Sequence, residues 1–293
     1  MKNKEFISTI LLVVVAVIWG TGFPVSKIAL NESISPFQVM FYRFSIAAVV
    51  MYMTNYKKIN LNIKSELKSG MIVGLFLFLG FLFQTTGLEH TTPSINAFLT
   101  ALNVIIAPFI FWIVTKKTVD SYTMVGAVLA LIGIGFLTIN GELSINKGDL
   151  LTIACAFFFA CHIVANGYFT MNKKSDVVTL VFMQIFISAI LSFVGVMIID
   201  PITALPSVTG MVSVAYLGVF STLVCFFLQT MAQEFVDSTK TAIILCTESL
   251  WGTIFSILLV GDVLTPKIII GAIIVFMAII ITETKLDFIK KRG

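Results

Sequence analysis

The sequence predicts an all-α integral membrane protein with ten transmembrane helices, arranged as two inverted five-helix repeats. Three observations support this fold class: the composition, ten apolar segments of spanning length, and an internal repeat. Of the 293 residues, 58% are hydrophobic and only 12% are charged, whereas a soluble domain has roughly 25% charged residues. This amount of charge is too small to cover a water-soluble particle, so the composition excludes a soluble globular protein.

Ten segments are long and apolar enough to cross a bilayer, which takes about 20 residues per helix. The first, with 21 uncharged residues from Phe6 to Ser26, is too long for a signal-peptide core and lacks a cleavage pattern. No linker is long enough to form a separate soluble domain. The predicted spans cover residues 6–29, 35–54, 69–88, 93–115, 119–140, 149–171, 177–199, 208–233, 239–261 and 266–284.

The distribution of lysine and arginine predicts the orientation. If the N-terminus is cytoplasmic, 15 of these residues lie at cytoplasmic loop ends and three (Lys27, Lys147 and Lys267) lie outside, with Arg43 inside the second span. Cytoplasmic loops carry such an excess of positive charge, so we expect both termini in the cytoplasm. Because the net charge of +4 lies at these loop ends, it does not indicate a nucleic-acid partner.

An internal repeat divides the chain into residues 1–142 and 143–293. An offset of 145 residues aligns Phe81, Gln84, Thr85 and Glu89 with Phe226, Gln229, Thr230 and Glu234. Near the first span the offset is closer to 140. Because each repeat has five helices, an odd number, the second must enter the membrane from the opposite face. Inverted repeats are typical of secondary transporters, with the binding site near the midplane, and two fused halves allow a functional monomer.

Three ionisable residues lie deep inside predicted spans, where such residues are functional candidates by default. At 1.5 Å per residue, Glu248 lies about 14 Å and Arg43 about 12 Å from the nearer end of its span, and His162 is near the middle of the sixth. Each also has a structural interpretation. Glu248 could bond a neighbouring helix, Arg43 could snorkel to the headgroups or bind Glu32, and His162 could bond a backbone carbonyl.

Four predicted helices carry small, polar or aromatic residues on one face, at spacings of three and four. These strips are Val15, Trp19, Gly22 and Ser26; Asn96, Thr100, Asn103 and Ala107; Cys155, Phe159, His162 and Asn166; and Thr241, Leu245, Glu248 and Gly252. We interpret their meeting point as a substrate cavity. The candidate substrate-binding residues are Trp19, Arg43, Asn96, Asn103, His162, Asn166, Gln229 and Glu248.

Several motifs resemble EamA-type members of the drug/metabolite transporter superfamily. They are Ile18-Trp19-Gly20-Thr21-Gly22-Phe23, Phe98-Leu99-Thr100 through Pro108, Gly148-Asp149-Leu150-Leu151, Tyr216-Leu217-Gly218-Val219 and Leu259-Val260-Gly261-Asp262-Val263-Leu264-Thr265. The resemblance implies a ten-helix inner-membrane carrier that works by alternating access, often as an exporter. The chain departs from it at Glu248-Ser249, where relatives commonly have a proline after the glutamate, so the resemblance does not extend to a proline kink there.

The predicted function is therefore export of a small amphipathic metabolite, such as an amino acid or a derivative. Arg43 would bind a carboxylate and Glu248 an amine. Alternatively, Glu248 would exchange protons, with His162 as the second proton-coupling candidate. We expect a small-molecule substrate, the lipid bilayer and protons as partners, and neither a cofactor nor a metal.

Two other functional classes stay open at this point. The alternative is a flippase for a lipid or a lipid-linked metabolite, which would need a laterally open groove. A remote alternative is an intramembrane enzyme. The sequence has neither an H-E-x-x-H nor a G-x-S-x-G motif and only two histidines, too few for a histidine-rich metal site. The four cysteines fall inside apolar runs and fit small buried hydrophobic positions.

Overall fold

A computed structural model describes residues 2–60, 64–138, 146–171, 175–202 and 206–261, together with scattered helical residues between 266 and 281. The fold is all-α. A π-helical segment, Leu217–Val224, lies between the ninth and tenth helices. The helices are α1 (Lys2–Asn31), α2 (Pro36–Asn55), α3 (Lys64–Glu89), α4 (Pro93–Thr100), α5 (Asn103–Thr115), α6 (Ser121–Thr138), α7 (Lys147–Met171), α8 (Val177–Ile198), α9 (Val208–Tyr216), α10 (Cys225–Ala232), α11 (Ser238–Leu245) and α12 (Glu248–Val260).

The helices coincide with nine of the ten predicted spans. Among the described residues, eight helical stretches are long and apolar enough to cross a membrane, and a shorter apolar helix begins at Ser121. Large apolar side chains such as Val208 and Ile198 are 80% and 76% exposed, as expected for surfaces that face lipid. The tenth predicted span and the predicted repeat boundary at residues 142 and 143 lie largely or wholly outside the described residues.

Two of the predicted spans are each broken near their middle. The span at 93–115 divides into α4 and α5 around Ala101 and Leu102, and the span at 239–261 divides into α11 and α12 around Cys246 and Thr247. Both segments still have the length and hydropathy of membrane spans, so the predicted spans are confirmed and the breaks are a feature that the prediction did not include. No proline or glycine lies at either break, so the local sequence carries no signal for the interruption.

The two breaks have the same geometry. In the first, the N–H of Leu102 donates to Leu99 O at 3.2 Å and that of Val104 to Ala101 O at 3.1 Å. The residues 145 positions later repeat this pattern, because Thr247 N donates to Ile244 O at 3.2 Å and Ser249 N to Cys246 O at 3.2 Å. These bonds, tighter by one residue than α-helical ones, keep the backbone satisfied where the α-helix stops.

The caps of the broken spans also recur at an offset of 145 residues. Thr92 caps α4 and Asp237 caps α11, each through a side-chain oxygen that accepts from backbone N–H groups. At the other end, Lys116 and Gly261 terminate α5 and α12 with left-handed φ values of 59° and 81°. Five membrane passes separate equivalent positions, so the two broken spans run in opposite directions, as inverted repeats require.

Helix α1 lies in the centre of the molecule, packed against α12, α10 and α9. Its contact with α12 is close at Gly20, where a Cβ atom would come within 2.8 Å of Gly252 N. The other large interfaces join α3 to α7, α2 to α8 and α3 to α8. This packing brings the two breaks, the middle of α1 and the π segment around one central space.

Candidate substrate cavity

A cavity occupies that central space. It extends to Ser26 and Leu88, near the ends of α1 and α3. Its lining consists of Trp19, Gly22, Phe23, Ser26, Arg43, Phe81, Gln84, Thr85, Leu88, Asn103, Phe159, His162, Ile163, Ser221, Phe226, Leu245 and Glu248.

Both helix breaks contribute a polar side chain to this cavity. Asn103 is the first residue of α5, and Glu248 is the first residue of α12. The two positions are equivalent in the repeats, and both side chains are at least 95% buried. The carbonyl oxygen Oδ1 of Asn103 has no hydrogen-bond partner among the described residues. Within the described part of the chain, the Glu248 carboxylate forms no hydrogen bond or ion pair.

The Arg43 guanidinium is held at the cavity wall by neutral groups. Its Nε donates to Thr222 Oγ1 at 2.9 Å and one terminal nitrogen donates to Ser221 Oγ at 3.2 Å. The Phe81 ring lies 4.2 Å from the guanidinium carbon, in a cation–π arrangement. Arg43 is only 2% exposed and forms no ion pair with any described carboxylate, so it does not snorkel to the headgroups or bind Glu32.

The π segment explains how the two Arg43 partners come to face the same way. Widening the helix at Leu217–Val224 lets the adjacent hydroxyls of Ser221 and Thr222 both reach Arg43. In the same segment, the backbone carbonyl of Ser221 accepts a hydrogen bond of 2.8 Å from the Trp19 indole. The segment therefore fixes a cation of the first repeat and an aromatic ring of α1 together.

Aromatic rings form the rest of the wall. Phe226 contacts Trp19, Phe81 and His162, with ring centroids 5.2, 6.0 and 5.5 Å apart. Phe159 meets Phe81 edge-on at 5.2 Å. These edge-to-face contacts are favourable and give the cavity an apolar surface beside its charges.

His162 lines the cavity but already has a protein partner. Its Nε2 lies 2.7 Å from Gln184 Oε1, and Gln184 Nε2 donates to Thr230 Oγ1 at 3.4 Å. All three residues are at least 99% buried. The bond fixes the ring orientation, so the histidine is less available than Glu248 to an incoming molecule.

Of the eight candidate residues, five line the cavity: Trp19, Arg43, Asn103, His162 and Glu248. The other three are bonded elsewhere. Asn96 donates to Gln84 O and Thr152 Oγ1, and Asn166 and Gln229 both bond Gln233. Their assignment to substrate binding stays a prediction, and the structure gives them partners within the helix bundle instead.

Sequence reasoning placed Phe159 on a cavity-facing strip but missed several other lining residues, above all Ser221, Phe81 and Phe226. It also missed Thr222, which bonds Arg43. Two of these had a usable signal, because Phe81 and Phe226 are equivalent in the repeats. The hydroxyls of Ser221 and Thr222 had no such signal in the sequence, since they reach Arg43 through the geometry of the π segment.

Comparison with known proteins supplies the family. A family model described as the EamA-like transporter family matches the chain twice, at residues 6–139 and 146–284. The chain belongs to the EamA-like transporter family. The two matches correspond to two repeats, and the EamA-like chain is accordingly a multi-pass membrane transporter.

Curated relatives of this EamA-like transporter cover nearly its whole length. It is 33% identical over 282 residues to an uncharacterized transporter of Archaeoglobus fulgidus, covering 96% of this chain and 87% of that protein. It is 25% identical over 297 residues to a probable amino-acid metabolite efflux pump of Escherichia coli K12, covering 96% and 95%. A crystal structure with 16% sequence identity superposes with a TM-score of 0.76 over 94% of this chain and 98% of the other, which shows a shared fold.

Proposed function

We propose that this EamA-like transporter works by alternating access and exports small amphipathic metabolites, namely amino acids or their derivatives, across the cytoplasmic membrane, with both termini in the cytoplasm. One observation carries the proposal. A single cavity contains a cation, Arg43, and a carboxyl group, Glu248, and neither forms an ion pair with a described residue. Buried charges without partners are costly, so a cargo that carries both opposite charges would satisfy them.

Arg43 fits the carboxylate end of such a cargo. Its Nε is occupied by Thr222 and one terminal N–H by Ser221, which leaves three of the five guanidinium N–H groups. Two of these point from different terminal nitrogens, so the end of the guanidinium can still donate a bidentate pair of hydrogen bonds. Carboxylates are the planar acceptors that match this geometry.

Glu248 and Asn103 fit the amino end. The carboxylate accepts hydrogen bonds, and the Asn103 Oδ1 atom is a buried acceptor without a donor. Leaving such an acceptor unsatisfied costs about 1–3 kcal/mol. An ammonium group has three N–H donors, enough to reach both residues, and the aromatic wall of Trp19, Phe81 and Phe226 would cover the apolar part of the cargo.

Proton coupling is a further part of the proposal. Between the two titratable candidates, Glu248 has no protein partner among the described residues, whereas His162 bonds Gln184 at 2.7 Å. Glu248 is therefore the group that we expect to bind a proton when the cargo is absent and to release it when an ammonium group arrives. The name of the Escherichia coli relative, an amino-acid metabolite efflux pump, supports the cargo class and the outward direction.

The test uses purified full-length protein and sets of three cargo analogues with one carbon skeleton. Leucine carries both charged groups, 4-methylpentanoate lacks the amine, and 3-methylbutylamine lacks the carboxylate. A ligand at 100 times its Kd stabilises the folded state by about 2.7 kcal/mol. We expect such a thermal shift from at least one zwitterion of an amino-acid panel, and a much smaller shift from its two matched partners.

Transport in proteoliposomes then tests the coupling. A pH gradient should drive accumulation of the stabilising zwitterion in wild-type vesicles and not in Glu248→Gln vesicles. Equal stabilisation by all three analogues would overturn the zwitterion assignment. Stabilisation by lipids, with no response to any polar metabolite, would replace the proposal with a lipid flippase.

A further inference from the structure

A second cavity opens at the face of the molecule where α1 begins. It has an empty volume of about 1120 Å³ and lies between α5, the start of α6, the end of α7 and the start of α11. Lys240, which lines it, forms an ion pair of 3.1 Å with Glu5 near the beginning of α1. This cavity therefore lies on the N-terminal side of the membrane, away from the side to which the central cavity extends.

Helices α5, α7 and α11 contribute to the lining of both cavities. Residues four apart share a helix face, and each helix passes from the central cavity to the second one in one or two such steps. Asn103 of α5, Ile163 of α7 and Leu245 of α11 line the central cavity. Phe111 of α5, Gly167 of α7 and Asp237, the N-cap of α11, line the second cavity. The wall between the cavities is thus one or two helical turns thick, and the residues that fall between these positions in α5 and α11, Ala107 and Thr241, have small side chains.

Helices α7 and α11 close this wall by a very tight contact. A Cβ atom on Gly167 would overlap the Ser238 hydroxyl and lie 3.1 Å from Gln233 Nε2. Gln233 accepts a 2.7 Å hydrogen bond from Asn166 and donates one of 2.9 Å to Ile163 O. Asn166 and Gln233 are 0% exposed, so beside the apolar packing of the wall a buried amide pair joins α7 to the end of α10, just before α11 begins.

The wall also contains polar atoms that lack partners among the described residues. The hydroxyl oxygens of Thr239 and Thr241 are buried there without a hydrogen bond. Thr239 lines the second cavity, and Thr241 lies between the two cavities. A wall that stayed closed would be more stable with apolar side chains at these positions, because each orphaned group carries a desolvation penalty. A passage for polar molecules would instead satisfy them when it opens.

We propose that the second cavity is the site through which cargo reaches the central cavity from the N-terminal side, by separation of α7 from α11 along the Gly167–Ser238 contact. The Asn166–Gln233 pair is the latch of this passage. Small zwitterions fit the second cavity, since it offers side chains of both charges, Lys117 and Asp237, beside threonine hydroxyls. This inference rests on the proposed transport function, but its test requires no cargo.

The experiment measures access to Thr241 in full-length protein in detergent. Thr241→Cys is reacted with a charged maleimide, with and without Gln233→Leu, and modified peptides are quantified by mass spectrometry. Removing the latch should raise the labelling rate of position 241 at least tenfold. The matched control is Asn96→Leu, which removes an equally buried amide bond to α7, the 2.8 Å bond to Thr152, but lies outside the wall; it should leave the rate unchanged.

Two results would overturn the proposed passage. One is an unchanged rate at position 241 after Gln233→Leu. The other is equal acceleration by Asn96→Leu or equal labelling of the native Cys246, which is 0% exposed and would report general loosening. A protein that opens this passage but moves no zwitterion in vesicles would refute the proposed function and leave the passage intact. A protein that transports but fails the labelling test would refute the passage alone.

Discussion

The two repeats share a backbone and differ in charge. Asn103 and Glu248 occupy equivalent positions at matching helix breaks. The caps of α2 and α8, Ser35 and Asp176, are 141 residues apart, and this local offset aligns Arg43 with Gln184. The first repeat therefore has an ionisable group, Arg43, in its second span and an amide, Asn103, at its helix break. The second repeat has the reverse arrangement, with the amide of Gln184 and the ionisable group of Glu248 at the equivalent positions.

This exchange makes the cavity electrically polar. The cation comes from the first repeat and the carboxyl group from the second, although a symmetric pair of repeats would place like groups at both positions. A cavity that contains one group of each charge would orient a dipolar cargo in one direction. In the proposed mechanism, the symmetric backbone would supply two matched halves for opening at either face, and the asymmetric side chains would supply recognition.

The strongest way to break the asymmetry is to neutralise Glu248. Glu248→Gln keeps the size of the side chain and removes its charge. A hydrogen bond to a charged group contributes about 1.5–3 kcal/mol, so kcat/KM for zwitterion transport should fall about 10- to 150-fold. Asn103→Ala, at the equivalent position, removes a neutral acceptor worth about 0.5–1.5 kcal/mol and should cost about 2- to 10-fold. Equal losses in proteoliposome transport would contradict the assignment.

Arg43→Gln places a glutamine in the first repeat, where the second repeat has Gln184 at the equivalent position. We expect about a tenfold loss of kcat/KM, because glutamine still donates one hydrogen bond but has no charge or fork. Thr222→Val, which removes only the partner of Nε, should cost less than Arg43→Gln. A larger loss with Thr222→Val would mean that positioning, rather than the charge of Arg43, limits transport.

The caps of the broken spans should differ measurably in stability. Asp237 accepts from the N–H groups of Thr239 and Lys240, each at 3.0 Å, whereas Thr92 accepts one bond, from Ile95, at 3.3 Å. Loss of an N-cap costs about 0.5–2 kcal/mol. We expect Asp237→Ala at the upper end of this range and Thr92→Ala at the lower end, by thermal unfolding in detergent. The reverse order would show that the number of cap hydrogen bonds does not determine the stability that each cap contributes.

The smallest effects should come from the left-handed residues Lys116 and Gly261. A non-glycine residue in this conformation is strained by about 1–2 kcal/mol. Lys116→Gly should therefore raise the unfolding temperature. Gly261→Ala should lower it, for conformational reasons alone, because no atom lies within 4 Å of the added Cβ. Shifts of the same sign in both variants would refute this explanation.

Much of the fold was predictable because apolar length and charge alone determine where helices cross a bilayer. The two helix breaks are also 145 residues apart, which is the offset found from Phe81, Gln84 and their partners. The breaks themselves were not predictable, since the chain has alanine, leucine, cysteine and threonine there. They depend on how the two spans pack across the centre, which is a tertiary property.

The site was also predictable in part, because ionisable residues are easily recognised in apolar spans. Glu248, Arg43 and His162 stand out in apolar spans, and the strips correctly placed Trp19 and Asn103 on faces that turn inward. Asn96, Asn166 and Gln229 are also polar residues in apolar spans, yet the amides of Asn96 and Asn166 join α7 to neighbouring helices and that of Gln229 bonds Gln233 at the end of its own helix. A polar residue in a membrane helix can serve either purpose, and only its neighbours in space decide between them.

The π segment at Leu217–Val224 has a consequence for how this span can change in length. Its wider turns hold one residue more than a regular helix between the same end points. Deleting one residue there would restore an ordinary α-helix and leave α9 and α10 in their original register, so Phe226 would keep its place. Only the paired hydroxyls beside Arg43 would be lost. An alignment with relatives that lack this hydroxyl pair should therefore show a gap of one residue within the segment.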